Sequence, residues 1–393
     1  MAGKGKQPVL VVVQLSGGND FMNTVIPYSN PVYHDARPTV RVKEEDVLPI
    51  DGTLGFHPNA GPLKELYDQG VMAIVQGIGY PNSNRSHFRG MDIWHTCEPE
   101  KVATKGWVAK AIQQLDPDGE NVLTGINIGR VLPRAMSAPG VPVTCVGDLE
   151  TYGLLTGISE AEQRDEALGI FKDMYGPAVG TGPVMDFLAQ TGVDVLKGSD
   201  TLKKAPETYS SSVEYADNPI AKSLRDVARV HLAGLGTRIF YTAQGGYDVH
   251  ANENADQPKL LGALSGAVMD FLQDLRDHDA SEEVTMIVFT EFGRRIKDNG
   301  TGTDHGSGGG AFIIGDRVEG GLYAEYPPLA PNEWLNGEDM QHTYDFRGFY
   351  STVLEQWLGL EPAPIVGANY EQLHPFRDGE GLLQQGTGAE PSR

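Results

Sequence analysis

Residues 8–15 read PVLVVVQL, an apolar run that never alternates with polar side chains. A strand with one face in water alternates; a strand covered on both faces does not. The run therefore commits the chain to a sheet with helices packed on each side. Similar runs return at residues 70–77 (GVMAIVQG), 284–290 (VTMIVFT) and 310–315 (GAFIIG), with shorter ones at 122–128, 141–146 and 237–241. Helical spacing of apolar residues fills the intervals, at 63–69, 107–115, 159–196, 221–235 and 260–276, with a closing helix at 346–358. Strands alternating with helices along the whole chain predict a doubly wound, mainly parallel sheet in an α/β/α sandwich.

The 393 residues are read as a single domain over 1–380, with a helical and loop insertion around 155–220 and a flexible tail at 381–393. A net charge of −22 argues against nucleic acid as a partner, because phosphate binding needs a basic surface. No apolar stretch approaches the roughly 20 residues of a membrane span. Two cysteines, Cys97 and Cys145, are too few for a disulfide framework or a cysteine-based zinc site. The short basic start has no signal-peptide pattern, so a cytoplasmic location is expected for the chain as it stands, and an exported one if a leader was trimmed.

Chemistry in open α/β sheets collects just beyond the carboxyl ends of the strands. Four of the apolar runs end in polar clusters: Asp20 after the first, Ser86 and His87 after the second, Asp248 and His250 after 237–241, and Glu291 with Asp304 and His305 after 284–290. Asp248 and His250, two apart in extended chain, point to the same side about 6.6 Å apart. Oxygen and imidazole donors suit divalent cations such as zinc, manganese, iron, magnesium or calcium. One or two such ions could polarise an ester oxygen and neutralise a phosphoryl or sulfuryl group. Arg294 and Arg295 would add a planar fork for oxyanions. The alternative for these residues is plain structure: carboxylates capping helices, arginines pairing with surface acids, and histidines bonded to backbone carbonyls. Four coordinated strand ends favour the metal site.

At these residues the sequence resembles the bacterial DUF1501 proteins, of the alkaline phosphatase/sulfatase-like superfamily. The resemblance runs over nearly the whole chain and rests on LSGGND (15–20), SHF (86–88), GGYDVH (245–250), TEFGRR (290–295) and GTDHG (302–306). It implies an alkaline phosphatase-like sandwich with a metal site at its strand ends. Asp20 would be the first-strand ligand, Asp248 and His250 the ligands of a later strand, His305 the last histidine ligand, and Ser86 the nucleophile. Glu291 stands where the superfamily places an Asp followed by a His, but here Phe292 follows it. His87 or Asp304 would have to take the missing ligand's place. No Cys-x-Pro/Ala-x-Arg signature is present.

The expected function is a metal-dependent hydrolase of phosphate or sulfate esters, acting on a small anionic ester or a sulfated or phosphorylated carbohydrate. Asp20, Asp248, His250, Glu291, Asp304 and His305 would hold the cation, Ser86 would attack, His87 would handle protons, and Arg294 with Arg295 would steady the anion. The alternatives are a non-catalytic carbohydrate- or protein-binding member of the same fold, and a lyase or transferase using the same cation.

Overall fold

The structure, a computed structural model, describes residues 7–149 and 209–377 together with a few single positions between them. The helix read at 159–196, most of the insertion at 155–220 and the tail at 381–393 lie outside the described residues. In chain order the strands are β1 (Val9–Leu15), β2 (Val25–Ile26), β3 (Leu48–Pro49), β4 (Gly55–Phe56), β5 (Met72–Gly79), β6 (Gly125–Ile128), β7 (Thr144–Val146), β8 (Ile239–Gln244), β9 (Val284–Thr290), β10 (Gly309–Ile314), β11 (Gly321–Tyr323) and β12 (Tyr344–Asp345). Nine of them form one sheet in the order β11-β5-β10-β9-β1-β8-β6-β7, with β12 also on β5; β2, β4 and β3 make a small separate sheet.

The strands β1, β5 and β9 are buried along their entire lengths, as their unbroken apolar runs require. Within β1 the alternation of side chains then sorts residues between two cores. Val9, Val11, Val13 and Leu15 join the core that holds Tyr33 of α1 (Pro31–Ala36) and lies beneath the helices α2 (Gly61–Asp68), α5 (Pro219–Leu232) and α6 (Glu253–Asp277). Leu10 and Val12 join the core on the other face, with Trp94 of α3 (His87–Thr96), Trp107 of α4 (Trp107–Leu115) and Tyr350 of α7 (Phe346–Thr352). The result is a mixed, mostly parallel sheet with helices on both faces. Among the described residues no helix is long and apolar enough to cross a membrane.

Two helices differ from their reading in the sequence. The helix read at 260–276 begins earlier: α6 starts at Glu253 and runs through Pro258. The buried stripe of Leu261, Leu264, Val268 and Phe271 extends back through Gln257 and Glu253, which are also buried but meet polar partners. The closing helix stops being α-helical at Thr352 and continues as a π-helical turn, Val353–Trp357.

Register positions the candidate site. Strand β1 lies between β8 and β9, parallel to both, with Leu15 opposite Gln244 on one side and Thr290 on the other. Their carboxyl ends are level, so the loops starting at Ser16, Gly245 and Glu291 emerge side by side. Strand β10 departs from the parallel rule and runs antiparallel to β9 and β5. That reversal brings the residues just before it, 304–308, to the same edge; a parallel β10 would have left them at the opposite one.

Candidate metal centre

The loops meet closely because they are glycine-rich where they touch. Gly17 has φ +123°, and a side chain there would lie 2.3 Å from the backbone nitrogen of Asp248. A side chain on Gly293 would strike the carbonyl of Gly308. Arg294 is buried and ties the loops together. Its Nε donates to the Gly18 carbonyl (2.7 Å), and Nη1 donates to that of Thr303 (2.8 Å). Nη2 donates to Gly17, to Tyr247 (2.8 Å) and to Asp248 Oδ1 (2.8 Å).

Four side chains converge above this tie. Asp248 Oδ1 is 3.0 Å from His305 Nε2 and 3.0 Å from His250 Nε2, and Asp248 Oδ2 is 3.3 Å from His87 Nε2. The Nε2 atoms of His250 and His305 are 2.8 Å apart. Ligand atoms of His87, Asp248 and His305 all lie within 4.8 Å of one another. Donors bound to a tetrahedral cation at about 2.0–2.2 Å stand roughly 3.3–3.6 Å apart; the Asp248–histidine separations of 3.0 to 3.3 Å come close to this, and the His250–His305 separation of 2.8 Å is shorter.

The opposite nitrogen of each ring fixes its tautomer. His87 Nδ1 is 2.9 Å from Glu291 Oε1, His250 Nδ1 is 2.9 Å from Asp304 Oδ1, and His305 Nδ1 is 2.7 Å from the carbonyl of Arg85. Carboxylates and carbonyls only accept, so each Nδ1 carries a hydrogen, and a ring in its neutral form presents the Nε2 lone pair. Three lone pairs and a carboxylate facing one another repel unless a proton or a cation lies among them. The His87 Nε2 atom is buried and makes no hydrogen bond. Burial holds His305 below its ordinary pKa, hence neutral, while the Glu291 hydrogen bond raises that of His87. For Asp248, burial opposes ionisation, but the hydrogen bond from Arg294 and the charge of that guanidinium hold the carboxyl well below the usual range. The donor set of His87, Asp248 and His305 fits a divalent cation, and His250 stands against the last two.

The residues expected as ligands therefore divide into donors and anchors. Asp248, His250 and His305 present atoms to the centre, and His87, expected to handle protons, joins them. Glu291 and Asp304 stand behind histidines. Glu291 is fully buried, and its Oε1 takes the Gly17 N–H (2.9 Å) as well as His87. Asp304 also accepts from Asn299 Nδ2 (3.1 Å). Asp20 is not brought to the centre. Both its oxygens face the Arg37 guanidinium in a fully buried ion pair, and although burial opposes its charge, Arg37 keeps it ionised. The expectation that Arg294 grips an anion is corrected too, since its donors are spent on four carbonyls and Asp248. Arg295 is partly exposed and pairs with Glu338 (3.0 Å) and Asp304 (3.7 Å). Ser86 is the exposed N-cap of α3, with no capping bond from its side chain, one residue before His87. Phe292 packs on the rings of His87 and His305, with centroids 4.9 and 4.8 Å away.

Sequence reasoning missed the Arg85 carbonyl and Arg37. The first is a backbone atom with no side-chain signature. The second lies in a loop that no motif singles out. Only the nearness of Arg85 to Ser86 and His87 in the chain could have drawn attention to it.

Solved structures with low similarity to this chain include the PsFucS1 sulfatase from Pseudoalteromonas sp., at 10% identity and TM-score 0.42 over 94% of this chain and 71% of that one. A protein in the alkaline phosphatase superfamily from Vibrio parahaemolyticus is 12% identical with a TM-score of 0.40, covering 93% and 70%. The lipoteichoic acid synthase LtaP from Listeria monocytogenes is 8% identical with a TM-score of 0.40, covering 92% and 73%. Among curated proteins nothing matches the chain. The family model described as "Protein of unknown function (DUF1501)" matches residues 160–363, a span that holds Asp248, His250, Glu291, Asp304 and His305. That match extends over more than half of the 393 residues, and the chain belongs to the DUF1501 family.

Proposed function

We propose that this chain is a hydrolase of phosphate or sulfate esters that depends on one divalent cation held by His87, Asp248, His250 and His305. One observation carries the reading: three imidazoles, each anchored through Nδ1, turn their Nε2 atoms onto one carboxylate. Such a cation, when bound, polarises an ester oxygen and makes a coordinated water acidic. The chain's own groups do the rest. The Ser86 hydroxyl is exposed at the start of α3 and next to His87, where it can serve as a nucleophile. Glu291 keeps the His87 ring in one tautomer. Arg295, partly exposed, remains able to turn toward an anionic group. Phe88 is 91% exposed beside His87 and offers an aromatic face to the organic part of the ester, which suits a sugar ring.

A second reading is a non-catalytic binder of carbohydrate or protein. Its support is the spent Arg294, which leaves the anion with thinner recognition than the motif implied.

The test is elemental analysis after dialysis against zinc or manganese, followed by assays with a phosphate monoester, a phosphate diester and a sulfate ester. One ion per chain, cleavage of at least one ester, and loss of both in a folded Asp248→Ala variant are expected. Less than one ion per chain under metal-replete conditions would sink the hydrolase and favour the binder.

A further inference from the structure

Behind the three histidines lies a chain of charges, of which the proposed reaction draws on Arg295 alone. His305 leans through Nδ1 on the backbone carbonyl of Arg85 (2.7 Å). Arg85 sits in residues 81–86, a stretch with no helix or strand and largely exposed to water. Within this stretch two short bonds shape the backbone: Asn84 N–H to the Tyr80 hydroxyl (3.0 Å) and Ser86 N–H to Asn84 Oδ1 (2.8 Å). The side chain of Arg85 reaches out of it to Asp339, with Nε at 3.0 Å and Nη2 at 2.5 Å from the same oxygen, Oδ2. Asp339 is 1% exposed, and its other oxygen has no hydrogen-bond partner. A buried carboxylate bonded through one oxygen alone depends on that one guanidinium. Glu338, next in the chain, accepts from Arg295 (3.0 Å), which leans in turn on Asp304, the anchor of His250.

We propose that Asp339, acting through Arg85, is a positioning residue that sets the Arg85 carbonyl against His305 and holds the Ser86–His87 edge of the centre in register with it. The inference rests on the metal centre proposed above. Neither residue offers an atom to the cation. Their effect is on which way an imidazole points, and outer partners of this kind change metal affinity by about 10–100-fold. Releasing the guanidinium frees a stretch that carries both the acceptor for one donor ring and, two residues on, a second donor ring. His305 then loses its orientation, and His87 shifts with the start of α3.

The test uses the full chain loaded with cobalt. The cobalt dissociation constant is measured by competition with a chelator, and the visible spectrum of the bound ion reports its geometry. Asp339→Asn is expected to weaken binding about tenfold or more and to alter the spectrum, with the melting temperature of the metal-free protein little changed; Arg85→Met, which strands the buried Asp339 carboxylate, is expected to do the same with a lowered melting temperature. Arg85→Lys retains a cation opposite Asp339 and is expected to restore most of the affinity. Variants that bind within twofold of the parent with the parent's spectrum would overturn the positioning role and leave the centre standing. So would weakening that only tracks a loss of melting temperature while the spectrum stays fixed. A parent chain that binds no cobalt would remove the centre itself, and the proposal with it.

Discussion

Glu253 lies beneath the centre as the first residue of α6, with 1% of its surface exposed. Its Oε1 accepts from Asn23 (2.8 Å) and its Oε2 from Thr303 (2.8 Å), and Asp20 lies beside it. Burial, then the charge and hydrogen bond of Asp20, push its carboxyl well above the ordinary value, while Arg37 keeps Asp20 ionised. One proton between the two acids follows. A carboxyl whose pKa is higher folded than unfolded takes up a proton on folding. Stability therefore falls as pH rises from the unfolded value near 4.3, by about 1.4 kcal/mol per pH unit, until the raised value is passed. The opposite slope from Asp20 is confined to pH below about 3.9. Glu253→Gln removes the titration and keeps the shape. Its melting temperature relative to the parent should rise steadily between pH 5 and pH 8; a flat difference would show that Glu253 is already ionised. At this scale the sequence was legible in part. The residue types at Asp248, His250 and His305 pointed to one cluster, and the three side chains do face one another. The division into donors and anchors was not legible, because it turns on which ring nitrogen meets which oxygen. Nor was the Asp20–Arg37 pair, which joins two loops that no periodicity connects.

At the scale of elements, the centre exists because loops from different strands approach to backbone contact. The sequence made β1, β5 and β9 visible, since a strand buried on both faces has to be apolar throughout. It did not reveal that β10 runs backwards: GAFIIG is apolar in either direction, and strand sense is decided by what the chain does at each end. Yet the reversal is what delivers His305 to the edge where Asp248 stands. The same holds for the turn after β1. Gly17 gives its N–H to Glu291 and its carbonyl to Arg294, at a φ that side chains rarely adopt. Gly17→Ala forces a methyl group into the backbone of Asp248. We expect a loss of more than about 2 kcal/mol of stability, together with loss of the cation that the proposed centre would hold. Urea unfolding and elemental analysis check both, and an unchanged midpoint with a full complement of metal would mean that the two loops are not packed this way.

For the whole molecule the governing quantity is charge. The chain carries −22, and the centre does not locally reverse that sign. Around it Asp248, Glu291, Asp304, Glu338 and Asp339 face Arg85, Arg294 and Arg295, leaving two negative charges that one divalent cation cancels when the histidines are neutral. On the proposed hydrolase reading, a dianionic ester would reach a roughly neutral site through the repulsive field of an acidic protein. Such a field acts over the Debye length, about 10 Å at 0.1 M salt, and fades as salt is added. The usual behaviour of an anion drawn to a basic site is weaker capture in salt; this chain should show the reverse. Raising potassium chloride from about 0.02 M to about 0.3 M should increase kcat/KM for a phosphate monoester, with the change in KM rather than in kcat. The argument fails if kcat/KM falls over that range. That result would place unpaired positive charge at the mouth, with Arg295 released from Glu338 as the first residue to suspect, and Arg295→Gln would then abolish the salt dependence.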